Sequence, residues 1–307
     1  MRFHAYGEPS DVLRLEQVPV PSVRPQRVRV AVRGCALNPA DWALCRGLFA
    51  KSLPRGIGLD VSGIVDAIGD DVNDVNIGDA VFGSADYKDE ATAGAGELAI
   101  LDRWFRVPAG LDLLAAAAMP LVTETGYRSI ENLGVGPQHT VLVHGAGTMV
   151  GFAAVQIALL RGAKVIAAAG DTFAAQLRSF GAKVTSYGPG VADRVRELAG
   201  GRVDLALDTA PPSGALPELL RVVDGDGRRL LTVTDIKAAA ELKVRTSFGE
   251  APVLYFDKLP EFAQRAADRT YVVPIARTFS LDDWRAAVEL SAGRQPHGKV
   301  LLLPSAR

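Results

Sequence analysis

The stretch that decides the fold is VLVHGAGTMVGFAAVQIALLRG, residues Val141–Gly162. An apolar run of strand length leads into a turn with glycine at positions 145, 147 and 151, and then into an apolar segment of helix length. Free N–H groups at a helix N-terminus bind the pyrophosphate of a dinucleotide, and glycines let the backbone approach it closely. The pattern is G-x-G-x-x-x-G, one residue longer than the strict dinucleotide fingerprint. The stretch therefore predicts a dinucleotide-binding turn.

The same rhythm of strand and helix continues downstream of this turn. Apolar strands alternate with helical patterns, which predicts a parallel sheet covered by helices on both faces. The predicted strands are 164–170, 183–187, 203–209 and 228–233, and the predicted helices are 172–180, 191–198 and 214–223. We therefore expect a doubly wound α/β domain that binds a nucleotide.

The segments on either side of this region follow a different pattern. Arg27–Val32 alternates as RVRVAV, typical of a half-buried strand, and further apolar runs bounded by glycines predict a barrel-like β-rich domain. Near the end, Pro260–Asp268 and Leu281–Ala292 read as helices, Tyr271–Thr278 as extended chain and Lys299–Leu303 as a closing strand. We infer that this tail rejoins the first domain, with the nucleotide-binding domain inserted between its two parts.

Composition excludes several classes of function. The 307 residues include 34 Lys and Arg and 35 Asp and Glu, so no positive charge excess points to a nucleic-acid partner. No apolar run is long enough to span a bilayer, and the first ten residues do not resemble a signal peptide. Two cysteines, Cys35 and Cys45, form no disulfide framework. A cytoplasmic protein with a small-molecule substrate, and with neither nucleic acid nor membrane as a partner, is expected.

Two positions of the nucleotide-binding region allow alternative interpretations. Thr148 and Met149 stand where glycines are expected; their side chains either crowd the phosphates or point away while their N–H groups face the anion. Asp171 follows the second strand, where an acidic residue accepts hydrogen bonds from the adenosine ribose of NAD. It could equally cap a helix that begins near Phe173.

Several ordered segments together resemble the medium-chain dehydrogenase/reductase superfamily, most closely its zinc-independent quinone oxidoreductase and enoyl reductase branch. The matching segments are Asn38-Pro-Ala-Asp41, Gly58-Leu-Asp60-Val-Ser-Gly63, Gly78-Asp79-Ala-Val-Phe-Gly83, Ala117-Ala-Met-Pro120, Thr125-Gly-Tyr127, the VLVHGA and VQIA runs after Val141, Ala206-Leu-Asp-Thr-Ala210 and His297-Gly-Lys299. They span nearly the whole chain in the expected order.

The resemblance implies a Rossmann domain inserted into a β-rich GroES-like domain. The expected boundaries are residues 1–115 and 266–307 for the GroES-like domain and 116–265 for the Rossmann domain. It also implies an active site in the cleft between the domains, with Asn38 and Thr125 beside the nicotinamide and with Gly170 and Tyr187 at the adenosine end. The expected cofactor-binding residues are Asn38, Thr125, Gly145, Gly147, Thr148, Met149, Val150, Gly151, Gly170, Asp171, Tyr187, Thr209, Val233 and Lys299.

Cofactor choice depends on the adenosine end. In quinone oxidoreductases of this branch, a tyrosine like Tyr187 goes with a serine and a lysine that hold the 2′-phosphate of NADPH. This sequence keeps the tyrosine but has Asp171 and lacks the lysine. NADPH is the expected cofactor, with NADH possible, provided that Asp171 faces away from the ribose or caps the helix.

The zinc ligands of related dehydrogenases are missing. Aligning Asp41 with their pattern places Asn38 at the position of a ligand cysteine, and Gly58-Leu-Asp60 replaces their Gly-His-Glu motif. Four scattered histidines and two cysteines leave no obvious set of three or four ligands. We therefore expect no metal.

Without zinc, reduction of an activated double bond is the simplest chemistry. Hydride addition places charge on an oxygen, which hydrogen-bond donors such as the Asn38 amide and the Thr125 hydroxyl could stabilise while water supplies the proton. Asp41 is a third catalytic candidate, although a carboxylate after a proline turn often has a local structural role. The enzyme could serve a biosynthetic pathway as a dedicated enoyl reductase. The alternative from another class is a non-catalytic, NAD(P)H-binding redox sensor.

Assembly is predicted from one alternating segment. Glu241–Phe248 reads ELKVRTSF and is expected at the edge of the nucleotide-binding sheet. Since exposed edge strands pair readily with other strands, we expect a homodimer through this edge, as in the resembled family.

Overall fold

The structure, a computed structural model, describes residues 1–87, 93–249, 253–293 and 296–304. Its strands are β1 (Arg2–Phe3), β2 (Leu13–Arg14), β3 (Val28–Leu37), β4 (Arg55–Gly56), β5 (Asp60–Ile68), β6 (Ala80–Ala85), β7 (Leu98–Arg106), β8 (Thr140–His144), β9 (Lys164–Ala168), β10 (Lys183–Thr185), β11 (Leu205–Asp208), β12 (Leu230–Thr232), β13 (Arg245–Thr246), β14 (Ile275–Ser280) and β15 (Lys299–Leu303).

The helices lie between these strands in a regular alternation only in the middle of the chain. They are α1 (Pro9–Val12), α2 (Pro39–Cys45), α3 (Leu113–Ala118), α4 (Pro120–Leu133), α5 (Met149–Leu160), α6 (Asp171–Ser179), α7 (Val191–Ala199), α8 (Leu216–Val222), α9 (Ile236–Leu242), α10 (Leu259–Ala267) and α11 (Trp284–Ala292). Within the described residues, no helix has the length and apolar character needed to cross a membrane.

The chain folds into two compact units. The first unit contains Met1–Leu121 and Asp257–Arg307, and the second contains Val122–Phe256. The chain thus leaves the first unit once and returns to it. The return is made by β15, which pairs antiparallel with β3 and parallel with β14.

The first unit is built on a closed β-structure. β3 pairs with both β5 and β7, and β6 joins these two strands, so the four strands form a closed ring. The alternation at the start of β3 agrees with its burial: Val28, Val30 and Val32 are buried, while the side chains between them are partly exposed. The predicted barrel-like β-rich domain is confirmed.

The second unit is a six-stranded sheet in the order β10-β9-β8-β11-β12-β13, with every pair parallel. The inner strands β8, β9, β11 and β12 are buried almost throughout, as their continuous apolar sequences require. The strand order reverses direction beside β8, so the edge above the ends of β8 and β11 is the position where doubly wound sheets bind ligands. The predicted doubly wound domain is confirmed.

Two predicted extended segments differ in the structure. The alternating Glu241–Phe248 stretch contributes only Arg245–Thr246 to the sheet, at the predicted edge, because helix-forming residues upstream form α9. The Asp235 side chain accepts the N–H of Ala238 at the start of that helix. In the second case, the extended chain predicted over Tyr271–Thr278 becomes a strand only from Ile275.

Candidate active site

The glycine turn between β8 and α5 is built by two glycines that the fold itself requires. Gly145 has a φ of +73°, and a Cβ there would lie 2.5 Å from the backbone nitrogen of Ala210. A Cβ on Gly151 would lie 2.5 Å from the Thr209 hydroxyl oxygen and within 3.0 Å of the Gly145 carbonyl oxygen. At Gly147 the nearest atom to a Cβ would be a ring carbon of Phe173, at 3.9 Å. The turn is therefore close-packed at 145 and 151 and open at 147.

Thr148 is turned into the helix rather than toward the space above it. Its hydroxyl oxygen accepts the N–H of Gly151 at 3.0 Å and donates to the Thr209 hydroxyl at 3.1 Å. The Thr209 hydroxyl in turn lies 3.0 Å from the carbonyl oxygens of His144 and Gly145. Met149 and Val150 are the first two residues of α5, so their N–H groups have no acceptor within the helix. Of the two interpretations of Thr148, this geometry supports the one in which the side chain does not crowd the phosphates.

Asp171 follows β9, and the structure does not place it at the N-cap of the next helix. Helix α6 begins at Asp171, and its N-cap is Gly170, so Asp171 does not cap a helix that begins near Phe173. That alternative is wrong, because the helix starts two residues earlier than the sequence indicated. The Asp171 side chain is exposed at the positive end of the α6 dipole, where a carboxylate is favoured. The Tyr187 ring lies beside Gly170, 3.6 Å from the position of a Cβ there.

A buried network that sequence reasoning missed lies under the carboxyl edge of the sheet. His144 Nδ1 lies 2.8 Å from Asp208 Oδ1, and the Thr232 hydroxyl donates to Asp208 Oδ2 at 2.9 Å. These residues end β8, β11 and β12, and Val233 follows, with its N–H on the Asp208 carbonyl oxygen. The only sequence signal was a polar residue at the end of each apolar strand.

The first unit holds a second buried polar network, centred on Asn38. Its side-chain amide donates to Asp60 Oδ2 at 3.0 Å and to the Ala36 carbonyl oxygen at 3.2 Å. The Lys299 ammonium donates to Asn38 Oδ1 at 2.5 Å and contacts Asp60 Oδ2 at 3.4 Å. Asp60 Oδ1 accepts the N–H of Leu121. Both N–H groups of the Asn38 amide are therefore already used within the protein.

Asp41 also lies in this buried region, where its carboxylate accepts hydrogen bonds from two backbone N–H groups. Its two oxygens accept the N–H groups of Asn38 at 2.8 Å and of Gly58 at 2.6 Å, and the residue is fully buried. Burial raises the pKa of Asp41 to about 7, against the effect of these two N–H donors. Burial also raises the pKa of Asp60, although Lys299 opposes the shift. Asp41 thus holds two backbone segments, at Asn38 and at Gly58, in place.

The residues at the expected zinc-ligand positions do not fit a metal. Asn38 and Asp60 share a buried ammonium, that of Lys299, so the cation that balances Asp60 is supplied by the protein itself. Among the described residues there is no group of three or more histidine, cysteine or acidic side chains that could hold a metal ion.

Comparison with known proteins identifies the family to which the chain belongs. Residues 24–110 match the alcohol dehydrogenase GroES-like domain, and residues 150–251 match the zinc-binding dehydrogenase domain. The chain belongs to the medium-chain dehydrogenase/reductase superfamily. Its Rossmann-like parallel sheet and its GroES-like domain are those of that superfamily.

The curated relatives of this superfamily member include a quinone oxidoreductase and a furanone reductase. Human quinone oxidoreductase is 33% identical over 55% of this chain and 52% of its own length. Tomato 2-methylene-furan-3-one reductase is 33% identical over 56% of this chain and 47% of its own length. The chain thus matches about half the length of each.

The similarity to solved structures extends over the whole chain. The quinone oxidoreductase from Coxiella burnetii has a TM-score of 0.82 and 26% identity, with coverage of 100% of this chain and 98% of that one. The CurK enoyl reductase has a TM-score of 0.82 at 22% identity, with coverage of 98% of each chain, and supports the fold alone.

Proposed function

We propose that the protein is an NAD(P)H-dependent reductase that transfers hydride to a quinone or an α,β-unsaturated carbonyl compound without a metal. The observation that carries the proposal is the Asn38–Asp60–Lys299 network, in which the Lys299 ammonium balances the Asp60 carboxylate at the positions that align with the zinc ligands of related dehydrogenases. Two curated relatives, a quinone oxidoreductase and a 2-methylene-furan-3-one reductase, support the same class of reaction.

The second unit supplies the residues that would hold the dinucleotide. The N–H groups of Met149 and Val150, which have no acceptor within the helix, would bind the pyrophosphate, and the space beside Gly147 would leave room for it. Gly170 and Tyr187 form the proposed adenosine site, and Thr209 and Val233 belong to the same edge of the sheet. When bound, the reduced nicotinamide supplies the hydride.

The cofactor is proposed to be NADPH, with NADH accepted. Tyr187 favours NADPH, because in the resembled branch a tyrosine at this position goes with the residues that hold the 2′-phosphate. The exposed Asp171 carboxylate opposes it, since a second negative charge beside a 2′-phosphate is repelled. We therefore expect weak discrimination between the two cofactors in the parent protein.

The reacting oxygen needs a hydrogen-bond donor, and we assign this role to Thr125 rather than to Asn38. The Asn38 amide would have to break its hydrogen bond to Asp60 or to the Ala36 carbonyl oxygen in order to donate to a substrate. Among the described residues, the Thr125 hydroxyl has two long contacts, 3.5 Å to Glu124 Oε2 and 3.4 Å to Arg128 Nη2. It can therefore turn toward a developing oxyanion at small cost, while water delivers the proton to the α-carbon of an unsaturated carbonyl compound or to the oxygen of a quinone. Asn38, Asp41 and Lys299 are proposed to position the backbone of the first unit.

A dedicated enoyl reductase of a biosynthetic pathway is the second candidate. The erythronolide synthase EryA2 of Saccharopolyspora erythraea is 34% identical over 62% of this chain, which is 6% of that synthase. The two candidate functions differ in the acceptor that is reduced and share the same hydride transfer.

Initial rates with NADPH and NADH against a quinone, an enone and an enoyl thioester test the proposal, beside rates with NADP⁺ and NAD⁺ against simple alcohols. We expect reduction of at least one conjugated acceptor, unchanged by a chelator. Alcohol oxidation with no reduction of any acceptor would contradict the proposed reaction. Cofactor binding without turnover of any compound would instead favour a redox sensor.

A further inference from the structure

Arg194 on α7 contacts the loop that connects β10 to this helix. Its Nη1 donates to the Pro189 carbonyl oxygen at 2.7 Å. Its Nη2 lies 3.1, 3.3 and 3.4 Å from the carbonyl oxygens of Ser186, Tyr187 and Gly188, respectively. One guanidinium therefore contacts four consecutive carbonyl groups and restrains the backbone of the whole β10–α7 loop.

The β10–α7 loop fits closely around this side chain. Gly188 and Gly190 have φ of +91° and +74°, a left-handed conformation that turns the backbone between the strand and the helix. A Cβ on Gly190 would lie 3.2 Å from Arg194 Nη1. Arg194 Nε is buried and has no hydrogen-bond partner among the described residues. Since a buried donor without a partner is unfavourable, the contacts of the guanidinium with the four carbonyl oxygens must outweigh that cost.

The restrained loop brings the Tyr187 ring to the end of the second strand of the sheet. β9 and β10 are parallel neighbours, with Thr185 beside Ala168, so the chain leaves both strands at the carboxyl edge. The Tyr187 ring lies 3.6 Å from the position of a Cβ on Gly170, the N-cap of α6, and the residue is 63% exposed. In doubly wound sheets, residues just after the second strand bind the adenosine ribose of a dinucleotide. An exposed aromatic ring at this position can pack against an adenosine.

The position of the Tyr187 ring depends on its backbone, because most of the residue is exposed and little of it is held by packing. An exposed loop with little buried surface samples many conformations unless other contacts restrain it. Here the restraint reaches Tyr187 directly, since its own carbonyl oxygen is one of the four that face Arg194. The planar guanidinium presents several donors in a fixed geometry, which the single ammonium of a lysine does not.

We propose that Arg194 is a positioning residue that holds the Tyr187 ring against the adenosine half of the dinucleotide and thereby sets the affinity for both NADPH and NADH. The inference rests on the proposed function in one respect, that the protein binds a nicotinamide dinucleotide. Because both cofactors contain the adenosine, Arg194 strengthens the binding of each by a similar factor. ADP-ribose, which carries the adenosine half without the nicotinamide, is bound through the same contact.

The test is a double-mutant cycle of Y187A and R194M, with dissociation constants for NADPH, NADH and ADP-ribose measured by isothermal titration calorimetry. We expect R194M to raise all three about fivefold to tenfold, which is part of what one base–aromatic stack contributes. Y187A should raise them at least as much. R194M should then add little in the Y187A background, because the arginine no longer has a ring to position. With saturating NADPH, kcat should stay near that of the parent, since the variants change binding and not the reacting groups.

Two further variants serve as controls. R194K retains the positive charge but not the planar fork, and it should weaken the binding of all three ligands nearly as much as R194M does. R196M removes an arginine from the same helix, one whose guanidinium donates to the Arg221 carbonyl oxygen and lies 3.3 Å from Asp224. It should leave the three dissociation constants unchanged. R194K replaces R194M in the cycle if the methionine variant does not fold.

Several results would overturn the positioning role. A loss of affinity for NADPH alone, recovered in R194K, would show that Arg194 acts by attraction to the 2′-phosphate instead. Parent-like binding by R194M, additive losses in the double variant, or an equal loss in R196M would also overturn it. A parent protein that binds the cofactors and reduces no acceptor would contradict the proposed reaction and leave the binding cycle intact. A parent that binds none of the three ligands would overturn both proposals.

Discussion

An added methyl group should lower the free energy of unfolding at Gly151 and leave it nearly unchanged at Gly147, although both glycines lie in the turn between β8 and α5. In Gly151→Ala, the new Cβ would lie 2.5 Å from the Thr209 hydroxyl oxygen, 2.9 Å from Ala146 Cα and still closer to the Gly145 carbonyl oxygen. Two of these three neighbours are backbone atoms, so no change of rotamer relieves the clash. In Gly147→Ala, the new Cβ would meet only the Phe173 ring, at the ordinary contact distance of 3.9 Å.

The size of the effect can be estimated from these contacts. Overpacking a close-packed site costs about 1–3 kcal/mol, and the upper part of that range applies because backbone must move. Alanine gains about 1 kcal/mol over glycine inside a helix, which offsets part of this cost. The net loss for Gly151→Ala is therefore about 2 kcal/mol in the free energy of unfolding. Gly147→Ala should change it by no more than about 0.5 kcal/mol.

Urea unfolding of the parent and the two variants, followed by NADPH titration monitored by nicotinamide fluorescence, measures both effects. Gly147→Ala carries the same added methyl group and serves as the matched control. It should retain parent stability, whereas Gly151→Ala should lose stability. Both variants should bind NADPH more weakly, Gly147→Ala because its methyl group enters the space proposed for the pyrophosphate and Gly151→Ala because the turn must shift. Parent-like stability of Gly151→Ala, or equal destabilisation of both variants, would refute the reasoning.

Four further variants or measurements test the rest of the site. Asp171→Ser should tighten NADPH binding about fivefold and leave NADH binding nearly unchanged, since one exposed charge near a phosphate contributes about 1 kcal/mol; equal effects on both dissociation constants would contradict this. Because the pKa of Asp41 is raised to about 7 in the folded protein, its stabilising contribution is present at low pH and is lost as pH rises through 7. The free energy of unfolding of Asp41→Asn should therefore fall less between pH 5 and pH 8 than that of the parent, by on the order of 2 kcal/mol, and parallel pH profiles would exclude the shift. Asn38→Ala should reduce turnover and also lower the free energy of unfolding by about 1–3 kcal/mol, because Lys299 and Asp60 lose a buried partner; unchanged stability would show that the network contributes little. Since β13 forms an edge of the second unit's sheet, we expect a homodimer in light scattering, and a monomer mass at micromolar concentration would disprove it.

The sequence alone predicted the parallel sheet, its helices and the return of the tail, because these depend on local patterns. Continuous apolar runs such as β8 and the alternation in β3 indicate how each strand is buried before any contact is known. Glu241–Phe248 was misread because its alternation runs into the end of a helix. The capping alternative for Asp171 was wrong because the helix start was placed two residues late. The residues at which helices begin and end depend on capping contacts, and these cannot be read from the spacing of apolar residues.

What the sequence by itself determined was the order of elements, the glycine turn and the missing zinc ligands, since residue type and spacing are sufficient for each. Only the tertiary structure decided the partners of the polar residues. Lys299 and Asn38 are 261 residues apart, and Arg128 and Ser247 are 119 apart, yet each pair is joined by a buried hydrogen bond. A buried polar side chain is satisfied by whichever group the chain topology places beside it, and that group has no fixed distance along the sequence. For this reason Asn38, predicted as a donor to substrate, is found with both its N–H groups bound within the protein.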